Sequence, residues 1–83
     1  MTVGDSETVA TIVEGVRSAR LPGTASSRKR LRQRAGLSLR EVASVVGVHP
    51  MTVLRWEEGV QPRRDHAIAY RQLLDALEEA VAS

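Results

Sequence analysis

The side chains with the most chemistry to offer in this chain are cationic, and they are gathered in its middle. Eleven of the twelve Lys and Arg residues lie between positions 17 and 64, where only Glu41, Glu57 and Glu58 oppose them. The flanking segments 1–16 and 65–83 are each net acidic, so the modest +2 of the whole chain masks a strongly basic centre. Guanidinium and ammonium groups at that density suit phosphates, and arginine's planar fork also fits the O6 and N7 edge of guanine. A solvated charged face is the bland alternative. Other chemistries lack their parts. There is no Cys, which removes disulfide scaffolds and thiolate metal sites and fits a reducing compartment. His49 and His66 stand apart from any carboxylate cluster at ligand spacing, so no metal is expected. No nucleophile–base set, paired carboxylates or glycine-rich phosphate loop occurs at a useful spacing; the chain reads as a non-enzyme with no cofactor. No apolar run approaches a membrane span, and the start is acidic where a signal peptide would be basic, so a cytoplasmic location is expected.

The basic residues frame the stretch 36–59, GLSLREVASVVGVHPMTVLRWEEG, whose spacing encodes two short helices and a tight turn. Ser38 followed by Glu41 is a capping box, in which serine oxygen and glutamate carboxylate each take a backbone amide at the helix start. Val42, Ala43 and Val46 share one face of that helix, and Gly47 supplies the left-handed residue that ends it, with Val48 placed to plug the corner. Pro50 opens the second helix at a position where a missing N–H costs nothing. Val53 and Trp56 face inward, and Gly59 ends it. A helix, a short turn and a second helix make a helix-turn-helix, whose second helix can enter the DNA major groove.

Three further helices are predicted around this motif. One runs from about Glu7 to Ala19, capped by Asp5 or Ser6, with Val9, Ile12, Val13 and Val16 at helical spacing and Gly15 weakening it. Another covers about Ser27 to Ala35, facing Leu31 and Ala35 inward. The last starts at Asp65, read as its cap, and continues to about Ala82 with Tyr70, Leu73, Leu74, Leu77 and Val81 as its stripe. Residues 1–21 are thus an amphipathic N-terminal helix, 22–27 a linker and 28–83 the helix-turn-helix domain. No strand pattern or repeat is found. The fold class is all-α, a compact bundle of about five helices.

On a groove-binding helix the first residues and those one turn on face the bases, which here are Pro50, Met51, Thr52 and Arg55. Arg55 is the candidate guanine reader; the alternatives are a phosphate contact or an ion pair with Glu58. Thr52 reads equally as half-buried beneath the turn. Phosphate contacts are expected from Arg28, Lys29 and Arg30, from Ser38, the Leu39 amide and Arg40, and from His49, Arg63 and Arg64. Trp56 reads as core, and Tyr70 as core with its hydroxyl at the rim.

Arg32, Gly36-Leu37-Ser38, Glu41, Ala43, Gly47-Val48, Thr52-Val53, Glu57, Gly59 and Pro62 together resemble the lambda-repressor-like helix-turn-helix family of phage repressors, Cro proteins and small bacterial regulators. The resemblance covers roughly residues 28–77. It implies a bundle of four or five helices that binds operator DNA as a two-fold dimer, and an internal ion pair between Arg32 and Glu57. It implies a regulator of transcription, most simply a Cro-like repressor acting as a homodimer on two half-sites in the nucleoid of a bacterial or phage-infected cell. Two positions depart from the family pattern: Leu39 where glutamine is common, and His49 where Ser or Thr caps the recognition helix. Leu54, at a usually polar site, packs on the final helix or touches a thymine methyl. Competing readings are a protein-interaction or antitoxin-like adaptor, whose N-terminal helix binds a protein partner, and an architectural accessory of phage recombination.

Overall fold

The structure, a computed structural model, describes residues 6–83. Five helices and no strand are present among them: α1 (Ser6–Ser18), α2 (Ala25–Arg34), α3 (Leu39–Val46), α4 (Pro50–Glu57) and α5 (Arg64–Ala82). The all-α expectation holds. α3 packs closely on α4, and α5 runs beneath the bundle, touching α1, α2 and α3. No helix among the described residues is long and apolar enough to cross a membrane.

An eight-residue helix is unstable alone, because the cost of nucleation is not recovered in two turns. α3 and α4 persist because their apolar faces meet one core: Leu31 of α2, Val42, Ala43 and Val46 of α3, Val53 and Trp56 of α4, and Tyr70 and Leu74 of α5. Leu37, Leu39, Val48, Leu73, Leu77 and Val81 pack around it, half-buried.

Capping chemistry sets where each helix starts and stops. Ser38 and Glu41 exchange bonds at the head of α3: Ser38 Oγ accepts from the Glu41 amide at 3.0 Å, and Glu41 Oε1 accepts from the Ser38 amide at 2.9 Å. Gly47, with φ of 89°, ends it, while the Val48 amide donates back to the Ala43 carbonyl at 2.9 Å. The same six-residue closure recurs after α2 (Leu37 N–H to Arg32 C=O, 3.1 Å) and after α4 (Val60 N–H to Arg55 C=O, 3.0 Å). Three alike closures keep the turns short.

Two helix starts differ from the sequence expectation. α2 begins at Ala25 rather than about Ser27, inside the segment read as linker. Thr24 caps it, accepting from the Ser27 amide at 3.1 Å, while Ser27 Oγ accepts from the Thr24 amide at 2.8 Å. Serine fills the role that glutamate or glutamine has in the usual box. α5 begins at Arg64 with Arg63 in the cap position, and Arg63 makes no side-chain cap bond. Asp65 is therefore within the first turn, where its charge complements the positive end of the helix dipole; its Oδ1 accepts from the His66 amide at 2.9 Å. Asp5, one of two expected caps for α1, lies outside the described residues, and Ser6 is already helical.

α1 departs most. Its apolar stripe, Val9, Ile12, Val13 and Val16, is 44–55 % exposed. The helix touches α5 on its opposite side, where Gly15 and Ser18 are half-buried and, with the exposed Ala10, Thr11 and Glu14, border an open hollow beside Ile68.

Two glycine substitutions test this account of the backbone. A Cβ at Gly47 meets nothing within 4 Å, so its cost is purely that of a left-handed alanine. Gly47→Ala is expected to lower stability by about 1–2 kcal/mol in urea unfolding. At Gly15 an added Cβ would be 3.9 Å from the Arg64 guanidinium, an ordinary contact, and the backbone is helical. Gly15→Ala should stabilise α1 by about 1 kcal/mol, read as slower amide exchange in that helix.

Candidate nucleic-acid interface

The position of α4 is set at its C-terminal end. Glu57, the last residue of α4, has a side chain only 1 % exposed. A carboxylate carried that far from water must be answered by charge and hydrogen bonds. Arg32 of α2 answers it with both arms of its fork, Nε to Oε2 at 2.6 Å and Nη2 to Oε1 at 3.0 Å. The remaining Nη1 donates to the Leu37 carbonyl at 2.9 Å. One guanidinium thus ties together α2, the connection into α3 and the end of α4. The bond to Glu57 raises the Arg32 pKa further above its ordinary range, although burial opposes the charge.

Beside this pair Trp56 stacks against Tyr70, with ring centroids 4.9 Å apart and planes tilted by 37°; His66 lies 6.2 Å from Trp56. Trp56 is accordingly core. Tyr70 is buried to its tip, so the expected rim position of its hydroxyl is corrected. Burial pushes the phenol's pKa above 10.0, and the Glu57 charge pushes it the same way, against Arg28 and Arg32.

With Val53, Trp56 and Glu57 turned inward, the opposite side of α4 is fixed by helical geometry. Met51 and Arg55, one turn apart, are exposed there, as is Glu58. Pro50 and Thr52 flank this side, half-buried. The Arg55 side chain makes no hydrogen bond or ion pair with any described residue, so the alternative pairing with Glu58 does not form. Leu54 is half-buried yet outside the set packed on the core.

The second unusual position also has a local explanation. His49 caps α4, its Nδ1 accepting from the Met51 amide at 3.1 Å. In the neutral ring that bond puts the proton on Nε2, leaving a donor at the surface. At the head of α3 the side chain of Leu39 packs against the core, while the Leu39 and Arg40 amides, at the first two helical positions, have no intrahelical acceptor. Such amides suit an anion. Ser38 is exposed with its oxygen engaged in the capping box, and Arg40 is exposed and unpaired.

The remaining cations divide. Lys29 and Arg30 are exposed on α2. Arg63 forms an exposed pair with Asp65 at 3.3 Å, and Arg64 reaches toward Gly15 of α1. Arg28 leaves the expected set altogether. It is buried, its Nη1 donating to the carbonyls of Pro22 at 3.1 Å and Gly23 at 3.3 Å, and its Nε has no partner. Its position three residues before Leu31 puts it on the buried face of α2, a signal that charge alone obscures. Among the described residues no group of three His, Cys, Asp or Glu side chains could hold a metal ion.

Two measurements test this arrangement. Arg32→Met leaves Glu57 buried without its partner and should cost about 3–5 kcal/mol in denaturant unfolding, most of it regained in Arg32→Met/Glu57→Leu. Tyr70 is the sole tyrosine, so tyrosinate absorbance reports this site alone. It should titrate above 10.0 in the folded chain. The folded state then holds its proton where the unfolded chain releases it, so stability falls as pH rises through and beyond that value. Tyr70→Phe should flatten this alkaline decline.

No curated protein and no solved structure matches the chain. The family described as "Helix-turn-helix domain" matches over residues 29–82, well over half of the 83 residues, and the match takes in the whole of α3, α4 and α5 and the C-terminal part of α2. That span agrees with the resemblance to lambda-repressor-like proteins and with the geometry around α4: the chain belongs to the helix-turn-helix domain family, whose common role is DNA binding.

Proposed function

We propose that this chain is a sequence-specific double-stranded DNA-binding regulator of transcription, a small Cro-like repressor that inserts α4 into the major groove of its operator. The observation that carries the reading is Arg55, exposed and unpaired on the outward side of a helix whose inward side is locked by Glu57 and Trp56. Arg55 reads guanine, while Pro50 and Met51 offer apolar contact to thymine methyls and Thr52 lies at the edge of the contact. Phosphates are held by Arg40 with the Leu39 amide and Ser38, by His49, and by Lys29, Arg30, Arg63 and Arg64. The chain acts as a homodimer on two half-sites, since one short recognition helix supplies little affinity alone. It works in the cytoplasm, at the nucleoid, and performs no catalysis.

Selection from a random duplex library tests this with wild type and Arg55→Ala at two salt concentrations. A paired motif with a guanine preference that Arg55→Ala loses is the expected result, at about 1–3 kcal/mol of discrimination. Arg40→Ala should weaken all sequences alike and reduce the salt slope by about one unit. Salt-sensitive binding without any motif would instead favour an architectural role, and no enrichment at all would favour a protein-interaction module.

A further inference from the structure

Arg28 is a cation that the folded chain leaves without a counter-charge. It is only 6 % exposed. The other guanidinium drawn into the bundle, that of Arg32, is met by the Glu57 carboxylate. Arg28 forms no ion pair with any described residue. Its Nη1 donates to two neutral carbonyls, those of Pro22 and Gly23, and the phenol near it, Tyr70, keeps its proton because burial raises its pKa above 10.0. Its Nε is sealed in with no partner. Nη2 donates to no protein carbonyl or carboxylate and, unlike Nε, is not sealed. A charge carried this far from water has to be answered, and here the protein does not answer it.

Arg28 lines an open hollow of about 410 Å³ between α2 and the later turns of α5, bordered also by Gly23, Ser27, Arg30, Arg34 and Glu78. Arg30 and Arg34 are exposed and form no ion pair, and Glu78 across the hollow pairs with neither. Two like charges four residues apart on a helix repel each other. The first turn of α2 carries no acid, so the positive end of its dipole, beside Gly23 and Ser27, is not neutralised. Three guanidiniums against one carboxylate leave the lining at +2. None of that lining comes from α3 or α4.

We infer that this hollow is an oxyanion site, separate from the outward side of α4, that takes a phosphoryl group against Arg28, Arg30 and Arg34. Charge selects the ligand. A phosphate dianion cancels the +2 of the lining, whereas a single carboxylate meets half of it. Donor chemistry agrees, because a guanidinium offers parallel N–H groups to two oxygens of one phosphate. The volume falls within the roughly 300–1,000 Å³ of small-molecule sites, which leaves room for a group attached to the phosphate. A small phosphorylated molecule and the DNA backbone both carry this chemistry. The site does not depend on guanine reading by Arg55.

NMR of the full chain, following backbone amides and the arginine Nε–H groups at constant ionic strength, tests the inference. Inorganic phosphate, above neutral pH where it is dianionic, and a random-sequence duplex are the two probes. With at least one of them, saturable shifts are expected at Gly23, Ser27 and Arg28, including the Arg28 Nε–H. Arg34→Gln changes an exposed side chain that makes no bond within the fold, so it leaves folding intact. It should weaken that binding at least about threefold. Glu78→Gln removes the one opposing charge and should tighten it about twofold. Shifts that spread over every exposed arginine without saturating, or an affinity at the hollow that neither variant moves, overturn the inference. So does the absence of shifts there with both probes. The two probes also name the source. Inorganic phosphate that moves these groups while a bound duplex does not assigns the site to a small phosphorylated ligand; a duplex whose shifts there fade in Arg34→Gln seats a backbone phosphate in it. The DNA reading is judged separately, by the motif that Arg55→Ala loses.

Discussion

Glu57 brings a charge to a place almost closed to water, at the end of an eight-residue helix that could not stand alone. The placement of α4 follows from how that charge is answered. A buried carboxylate without a partner is strongly destabilising, so the helix is held wherever Arg32 can meet both oxygens. Arg32 is itself fixed, because its third nitrogen is committed to the Leu37 carbonyl ahead of α3. The two halves of the helix-turn-helix are thereby referred to the same guanidinium. Rotation of α4 about its axis would break the fork and draw Trp56 off Tyr70. The outward set of Met51 and Arg55 is the consequence of what is locked inside.

Short helices need defined ends, and here each end is a specific chemical event rather than a gradual loss of helical bonding. Serine and threonine boxes open α3 and α2, a histidine nitrogen opens α4, and three six-residue closures end α2, α3 and α4. Little backbone is left between these events. Such a unit can present a side chain to a groove without first ordering itself, which spares the entropy cost that a flexible reader would incur on binding.

Much of this was legible in the residues. The Ser38–Glu41 box, Gly47, Pro50 and Gly59 mark α3 and α4 closely, since each has a single strong physical meaning at its position. The pairing of Arg32 with Glu57 came from resemblance; spacing offers no way to connect residues twenty-five apart. Where the structure differs from the sequence expectation, packing beyond the single helix decides. Charge sets Arg28 among the surface cations, although its helical position puts it beside Leu31 on the buried face. A phenol usually keeps its hydroxyl at the rim, whereas for Tyr70 the charges of Glu57, Arg28 and Arg32 lie close to it inside. The Thr24–Ser27 box is not marked in the sequence, because serine stands where glutamate or glutamine is usual. For α1, periodicity placed four apolar residues on one face, and nothing in periodicity says whether that face meets the bundle or the solvent.

In the proposed function the outward side of α4, positioned by the Arg32–Glu57 pair, is the surface that meets DNA. Residue-resolved amide NMR during titration with the duplex recovered by selection tests it most directly. The largest shifts are expected at Leu39, Arg40, Met51, Thr52 and Arg55, with the Val42, Val53 and Leu74 amides of the core little changed. Binding that leaves the α4 and α3 amides unmoved and perturbs the α2–α5 side instead would contradict it.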